Sequence, residues 1–371
     1  MPRTVLFIFG TRPEAIKLAP LVLHLSRFPE RYTVKICVTA QHRGMLDQVL
    51  AAFQIRPDFD LDLMTPGQTL FQSASRMIGG LEPVFAAAKP DLAIVQGDTA
   101  TTLCGALAAF YARVPVAHVE AGLRTGDPAQ PFPEEMNRVL ATRIASLHFA
   151  PTEGAAENLA REGITRGVSV TGNTGIDAVL YIRDRLDRGE LPATSAGFES
   201  PGKKLILVTA HRRESFGDGF ERICRALSLL AGRGDVRIVY PVHPNPNVQG
   251  AVNRYLRDQD AILLTEPLDY VPFVDLMRRS YLILTDSGGI QEEGPSLGKP
   301  ILVLREKTER PEAVAAGTVK LTGTSVERIV AEAAVLLEDV AEYQRRSRRH
   351  NPYGDGRASE RIEAILREFL R

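Results

Sequence analysis

The feature that most constrains this chain is a repeated switch between short, unbroken apolar runs and stretches with helical spacing. VLFIFG at 5–10 is the first such run, followed by VKICVTA at 34–40, DLAIVQGD at 91–98 and PVAHVEAG at 115–122. Apolar residues without alternation suit a strand covered on both faces. After the first run, Pro13 suits a first helical turn and AIKLAPLVLHLSR carries apolar residues at helical spacing. Strands alternating with helices predict a mostly parallel sheet with helices on both faces. A second series repeats the pattern. SVTGNTGIDAVLYIRDRL (169–186) runs from a short strand into a helix, and RGELPATSAGFESPGKK (188–204) reads as a surface loop. LILVTA (205–210), RIVYPVH (237–243), AILLTEP (261–267), YLILTDSGG (281–289) and PILVLRE (300–306) then read as strands separated by helices. The expected fold is α/β, with two Rossmann-like domains and a break near residue 170: an N-terminal domain over 1–170 and a C-terminal one over 171–356. A last helix at about 357–371, after the turn-rich NPYGDG, is expected to cross back to the first domain.

The totals narrow the function classes. The 371 residues are comfortable for two domains, and 44% hydrophobic residues can bury proper cores. Lysine plus arginine equals aspartate plus glutamate, 45 each, so there is no bulk attraction to nucleic acid or to an anionic membrane. Cys37, Cys104 and Cys224 each lie in an apolar stretch without C-x-x-C spacing and read as buried, reduced residues. No segment reaches the roughly 18 apolar residues that span a bilayer. The first apolar run ends in Gly-Thr-Arg-Pro-Glu, not in a small-residue cleavage site, so it reads as a strand. The expectation is a cytoplasmic protein without membrane insertion.

In open parallel sheets, ligands bind beyond the carboxyl ends of the strands. Two such sheets facing each other would form a cleft lined by strand-end loops, and the unusual chemistry of this sequence gathers in such loops. GTRPEAIK places Arg12 and Lys17 at a helix start, where free N–H groups and mobile positive charge suit phosphate; the alternative is a loop arginine and a solvated lysine. The stretch is neither a Walker loop nor a dinucleotide fingerprint. Asp98 in QGDT, Glu120 in HVEAG and Glu134 in QPFPEEMNR are three acids at strand ends or a helix start, suited to general acid and base roles at different steps. Singly, each has a structural alternative: Asp98 as a helix cap, Glu134 as a dipole partner or an ion pair with Arg138. TAHRRESFG puts His211 beside Arg212 and Arg213, suited to a diphosphate or a leaving group, and PVHPNP around His243 is a similar loop. LTDSGGIQEEG runs from a strand through Ser287, Gly288 and Gly289 into a helix. Glycines let backbone approach a phosphate, and Glu293 can accept both ribose hydroxyls. Arg310 in REKTERPE is a further strand-end arginine; Phe273 is a candidate to stack near a base, with a core position as the alternative. No His/Cys/Asp set has metal-ligand spacing and no G-x-S-x-G elbow occurs. The residues read as a two-domain nucleotide-sugar enzyme, with acid/base groups in the first half and the nucleotide in the second.

FGTRPEAIKLAP, VQGDTATT, HVEAGLRTGD, PFPEEMNR, TGNTGID, TAHRRESFG, YPVHPNP and TDSGGIQEEGPSLGKP followed by TERPEA resemble, in order and over almost the whole chain, the non-hydrolysing UDP-N-acetylglucosamine 2-epimerases. The resemblance implies a glycosyltransferase-B-like fold, a homodimer, a UDP-sugar substrate, and no metal, nicotinamide or other cofactor. It implies anti elimination of UDP to a 2-acetamidoglucal, then re-addition with the proton on the other face of carbon 2. Through it, Arg12 and Lys17 correspond to substrate-binding residues, Asp98, Glu120 and Glu134 to catalytic acids, and Arg138 to a supporting arginine. His211 corresponds to the histidine near the leaving diphosphate, and Ser287, Gly288 and Gly289 to the phosphate loop. Glu293 corresponds to the ribose acid, Arg310 to a second phosphate arginine and Phe273 to a residue beside the uracil.

The chain departs from family members that a second substrate molecule activates. Their QHRQM reads Gln41, His42, Arg43, Gly44, Met45 here, and their arginine shortly before Gln-Thr-Leu gives way to Pro66-Gly67. Gln41, His42 and His243 remain as allosteric candidates, and activation is expected to be weakened or achieved differently. The rival readings are an epimerase of a related sugar such as UDP-2,3-diacetamido-glucuronic acid, a glycosyltransferase of the same fold, and a non-catalytic UDP-sugar sensor. Three acids in the first domain favour proton chemistry at the sugar over the last two.

Overall fold

The computed structural model describes residues 1–39, 43–65, 67–194, 196–348 and 351–371, the side chains of Arg43 and Ala196 excepted. Two units emerge, Met1–Ala178 with Tyr353–Arg371, and Val179–Pro352. The first holds a seven-stranded parallel sheet of β1 (Arg3–Phe9), β2 (Tyr32–Val38), β3 (Phe59–Asp60), β4 (Leu92–Gln96), β5 (Val116–Val119), β6 (Leu147–Ala150) and β7 (Val168–Val170). Their order is β3-β2-β1-β4-β5-β6-β7. The second holds a six-stranded parallel sheet of β8 (Lys204–Thr209), β9 (Val236–Pro241), β10 (Ile262–Thr265), β11 (Leu282–Thr285), β12 (Ile301–Val303) and β13 (Val319–Leu321), in the order β10-β9-β8-β11-β12-β13.

Both orders are the doubly wound arrangement, in which the chain reverses its direction of travel beside the first strand. In the first unit the reversal lies between β1 and β4, paired Val5 to Leu92 and Phe7 to Ile94. In the second it lies between β8 and β11, paired Ile206 to Leu282 and Thr209 to Thr285. At that point two neighbouring strands send their following helices to opposite faces, and the loops part to leave a ligand crevice.

The strands form where side chains are covered on both faces: Val5, Leu6, Phe7 and Ile8 are fully buried, as are Ile206, Leu207 and Val208. One core of the first unit joins Leu6, Ile8, Ala93 and Val95 of the sheet to Leu81 and Phe85 of the helix Leu70–Ala88. The helix Ala100–Tyr111 lies close through Gly105, where a Cβ would stand 3.1 Å from Val95 Cγ1 and 3.2 Å from Ile8 Cγ2. In the second unit Phe220, Ile223 and Leu227 of the helix Asp218–Ala231 pack on Ile206, Val208 and Tyr240. The three cysteines are buried and free.

The helix Thr174–Asp187 carries the chain out of the first unit, and the chain re-enters beside that exit, Asn173 N donating to Tyr353 O at 2.8 Å. The last helix, Ala358–Phe369, belongs to the first unit. Asp177 accepts its first amides, Ala358 N at 3.2 Å and Ser359 N at 2.8 Å, and Glu363 accepts from the Tyr32 hydroxyl at 3.2 Å. Among the described residues, no helix is long and apolar enough to cross a membrane.

Candidate active site

In the first unit the crevice loops follow β1, β4 and β5. Thr11 caps the helix Arg12–Leu25 in a reciprocal box with Glu14. Glu14 does more than cap. It is fully buried, and its two oxygens accept from Gly10 N (3.1 Å), Thr11 N (2.8 Å), Thr99 Oγ1 (2.7 Å) and Thr102 Oγ1 (3.3 Å). It thereby ties the loop after β1 to the loop after β4, on which Asp98 sits. Burial pushes its pKa above the ordinary carboxylate value, with the Thr11 and Thr99 hydroxyls and the Gly10 and Thr11 amides pulling the other way. Gly10 is required at this crossing, because a Cβ would fall 2.0 Å from Thr39 Oγ1 and 2.7 Å from Thr101 Oγ1.

Arg12 opens the helix, half-buried, and Lys17 stands about a turn later. Lys17 Nζ pairs with Glu120 Oε1, and Gln96 Nε2 donates to Glu120 Oε2, so Lys17 is an engaged, largely buried cation and not a solvated one. Glu120 follows β5 at φ +63, a left-handed conformation that costs a non-glycine residue on the order of 1 kcal/mol. Asp98 follows β4. Thr99, and not Asp98, caps the next helix, through Thr102 N at 3.1 Å, so the Asp98 carboxylate is not committed to capping. Instead it pairs with Arg138 Nη2, while Asn137 Nδ2 holds the Asp98 carbonyl at 3.0 Å. Arg138 also lies 3.3 Å from Glu135 Oε2, and Glu135 is fixed in turn by Thr125 N and Gly126 N at 3.0 and 3.1 Å. Glu134 opens the helix Glu134–Ile144, half-buried; Arg138 takes Asp98 and Glu135 as its partners in place of it. The result is two carboxylates at neighbouring strand ends, each held by a cation from a different helix.

His118, inside β5, supports this arrangement from below. It is fully buried; its Nε2 lies 2.7 Å from Gly97 O, and burial lowers its pKa to about 4, so it is neutral at pH 7 and donates to the carbonyl preceding Asp98.

In the second unit His211 follows β8 and Asp286 follows β11, the two sides of the chain reversal. Asp286 is fully buried, and its Oδ2 accepts from His211 N at 2.6 Å and Arg212 N at 2.7 Å. The His211 ring stacks on His243, centroids 5.2 Å apart and planes 12° apart. Tyr240, in the neighbouring strand, donates its hydroxyl to Ala210 O at 2.6 Å and so fixes the residue before His211. Ser287 sits at the start of the helix Gly288–Glu293 without its side chain capping it. The Arg310 guanidinium lies against the backbone of Gly288, where a Cβ would meet Cζ and Nη2 at 3.3 Å, and its Nε pairs with buried Glu292. Gly289 leaves Glu293 Oε1 3.9 Å from the position of its missing Cβ. Arg305, nearly buried, bridges Glu214 and Glu309 and so ties the loop after β12 to the His211 loop; its hydrogen bonds, more than its charge, hold the Glu309 carboxyl down to about 2. Phe273 is half-buried in the helix Tyr270–Arg279. The structure therefore brings Lys17 to Glu120, Asp98 to Arg138, His211 to His243, and Gly288 to Arg310. Gln41 and His42 lie outside the described residues.

Glu14, His118, Glu135 and Asp286 were not singled out from sequence. Thr11-x-x-Glu14 carries a capping-box signature that marks Glu14 as a cap, but its reach to Thr99 depends on β1 and β4 being neighbours. His118 is the single polar residue of VAHV, a signal for a buried role without saying which. Asp286 is the first residue after its strand, where the strand-end rule applied to Asp98 would also have found it.

The comparisons agree with this geometry. Residues 26–367 match the family model described as UDP-N-acetylglucosamine 2-epimerase. The UDP-N-acetylglucosamine 2-epimerase of Salmonella typhimurium is 57% identical over 371 residues, 98% of each chain. The crystal structure of UDP-GlcNAc 2-epimerase from Neisseria meningitidis, bound to UDP-GlcNAc, superimposes with a TM-score of 0.89 at 46% identity, covering 98% of this chain and 100% of that one. The glycosyltransferase SnogD from Streptomyces nogalater shares only the fold, with a TM-score of 0.59 at 16% identity over 98% and 99% of the two chains. Two doubly wound sheets, carboxylates and cations at their crevices, and near-complete likeness in sequence and structure lead to one assignment: the chain belongs to the UDP-N-acetylglucosamine 2-epimerase family.

Proposed function

We infer that this chain is an isomerase that inverts carbon 2 of the sugar in UDP-N-acetylglucosamine, interconverting it with UDP-N-acetylmannosamine. The observation that carries the reading is the pair of engaged carboxylates at adjacent strand ends, Asp98 on Arg138 and Glu120 on Lys17, in a chain of this family. The 57% identical relative and the UDP-GlcNAc-bound neighbour support the substrate.

The chemistry needs these residue types. The carbon-2 proton lies beside an acetamido nitrogen and not a carbonyl, so it is only weakly acidic. Its removal must be concerted with departure of UDP. The C–H electron pair becomes the carbon 1–carbon 2 double bond as the bond from carbon 1 to the UDP oxygen breaks, giving UDP and a 2-acetamidoglucal. Re-addition of UDP with protonation from the opposite face completes the inversion. Asp98 is proposed as the base that takes the carbon-2 proton, and one of the two other acids, Glu120 or Glu134, returns a single proton from the opposite face; a positioned acid or base of this kind contributes on the order of 10²–10⁴ in rate. Lys17 and Arg138 hold Glu120 and Asp98 in register. Arg12, Arg310 and the Ser287-Gly288-Gly289 loop bind phosphate, and His211 stabilises the departing diphosphate. Glu293 binds the ribose and Phe273 lies beside the uracil. No metal or nicotinamide takes part.

The enzyme works as a homodimer in the cytoplasm. A second substrate molecule would approach Gln41, His42 and His243, of which His243 already stacks on His211. Among the described residues, a Cβ added at Gly44 or Gly67 meets nothing within 4 Å; Gly44 therefore has room for a side chain, whereas Gly67, at φ +75, would hold one only in a strained backbone conformation.

The test is to incubate pure protein with UDP-N-acetylglucosamine and excess EDTA and to follow the anomeric protons by NMR. UDP-N-acetylmannosamine should appear alongside substrate. Free N-acetylmannosamine with UDP as the main product would make the enzyme a hydrolysing one. An unchanged spectrum, also after adding more substrate, would remove UDP-N-acetylglucosamine as substrate and make UDP-2,3-diacetamido-glucuronic acid the next to try.

A further inference from the structure

Asp286 is where the second unit's geometry says more than the reaction scheme uses. It is enclosed completely, yet only one of its oxygens is satisfied. Oδ2 takes the His211 and Arg212 amides at 2.6 and 2.7 Å, whereas Oδ1 is buried without a hydrogen-bond partner among the described residues. A buried, unsatisfied carboxylate oxygen is costly and is retained where something comes to it. The polar atom placed to do so is His211 Nδ1, 3.6 Å away. That is beyond hydrogen-bond length, as is common before substrate tightens a site.

One face of the ring is covered. His243 stacks on the His211 face and opposes movement toward it, while a shift within the ring plane, which changes the distance to Oδ1, keeps the stack. The backbone of His211 is fixed by Oδ2 itself, and that of Ala210 by the Tyr240 hydroxyl. The charged groups that face the imidazole are Asp286, which favours its protonated form, and His243 and Arg212, which oppose it; together with burial, which has the largest effect, they hold its pKa below the ordinary histidine value.

We propose that Asp286 is the positioning residue for His211: its Oδ2 fixes the His211 backbone while its Oδ1 takes the Nδ1 proton, so that Nε2 is the nitrogen presented to the leaving diphosphate. The proposal rests on the reading that His211 meets that diphosphate. When an anion binds at Nε2, that nitrogen takes up one proton from water, Nδ1 keeps its own proton hydrogen-bonded to Oδ1, and Asp286 is the counter-charge that stabilises the resulting imidazolium. As UDP departs, negative charge grows on the bridging oxygen and the ring closes on Oδ1. On re-addition the ring relaxes, and when the nucleotide sugar leaves, the Nε2 proton returns to water.

Asp286→Asn separates this role from a structural one. The asparagine carbonyl still accepts both backbone amides, so the loop stays in place. Its amide then faces Nδ1 as a donor, which forces the opposite tautomer. The expected result is a fall in kcat of at least about 100-fold with KM within about threefold, and a shifted acid limb of the kcat–pH profile. The thermal midpoint should stay within a few degrees. A kcat within threefold of native, with the pH profile unmoved, would overturn the proposal. A readout independent of activity comes from ¹⁵N NMR of histidine-labelled native protein, with the His211 signals identified by their loss in His211→Gln. Neutral His211 should carry its proton on Nδ1, and adding UDP should raise its pKa. An Nε2–H tautomer in the native protein, or a pKa that UDP does not move, would also overturn it, even if Asp286→Asn failed to fold. Should the native enzyme not epimerise the sugar at all, the reaction assignment fails, while the tautomer still decides the role of Asp286.

Discussion

Lowering the pH from 7.5 to 5 should weaken the first unit through two buried histidines. In an unfolded chain an imidazole takes up its proton near 6.5; in the fold, burial delays this to about 4 for both His118 and His148. Between those values the unfolded chain binds more protons than the folded one. The stabilisation is therefore complete above about 6.5 and is lost as pH falls toward 4. At pH 5, a shift from 6.5 to about 4 amounts to about 2 kcal/mol for the fully enclosed His118. His148 adds a similar or smaller amount. For a unit of this size each kcal/mol moves the melting temperature by about 2–4 °C, so His118 alone should lower it by about 4–8 °C. Burial raises the pKa of Glu14 and Asp177, which gives them the opposite sign: their cost is relieved as pH falls through the raised values. The native scan thus mixes opposing contributions, and the comparison that isolates His118 is with His118→Gln, whose amide can still donate to Gly97 O but does not titrate. Calorimetric scans of both proteins at pH 7.5, 6.5, 5.5 and 5.0 should show the variant less pH-dependent by the stated amount. Parallel curves would refute the assignment of a buried, neutral His118.

Other substitutions test the frame around the site. Gly10→Ala forces a Cβ into the buried Thr39–Thr101 hydrogen bond of 2.9 Å and should cost about 1–3 kcal/mol in urea unfolding, with a matching loss of activity as the Arg12 and Asp98 loops separate. Asp177→Ala uncaps the last helix at Ala358 and Ser359 and should cost about 1–2 kcal/mol with little change in kcat, whereas Asp177→Asn should retain most of the stability. With Gly44 and Gly67 in place of longer side chains, rate against UDP-N-acetylglucosamine concentration should be nearly hyperbolic at low substrate; strong sigmoidicity would show that activation persists by other contacts.

The parts of the fold that were legible are those where burial on both faces leaves a continuous apolar run. β1, β4, β8 and β11 lie within or alongside the runs read as strands, and the strand-end rule led to Asp98, Glu120 and His211. β6 and β13 escaped notice because LHFA and VKL are short and carry a polar residue; they are strands because a neighbouring strand supplies their partners, Leu147 lying opposite Ala117 and Val319 opposite Ile301. The run read to 289 ends as a strand at Thr285, since Ser287 already opens the next helix. The residues missed at the site share a cause. Glu14 and Asp286 act across 85 and 75 positions of sequence, on loops made adjacent only by the order of strands in the sheet. A sequence shows that each is an acid near a strand end; which backbone it holds is a property of the topology. The strain at Glu120, at φ +63, is likewise invisible in HVEAG, where nothing but a following Ala-Gly hints at a turn.

In the proposed reaction, carboxylates of the first unit move a proton on carbon 2 while UDP leaves. The most direct measurement is the reaction in deuterated water, following the carbon-2 and anomeric protons of both sugars by NMR, with Asp98→Asn in parallel. UDP-N-acetylmannosamine should form with deuterium at carbon 2, and that exchange should fall by about 10²-fold or more in the variant, whose Arg138 no longer faces a carboxylate at position 98. Epimerised product that keeps its original proton at carbon 2, or a variant that exchanges as fast as the native enzyme, would contradict the proposed reaction.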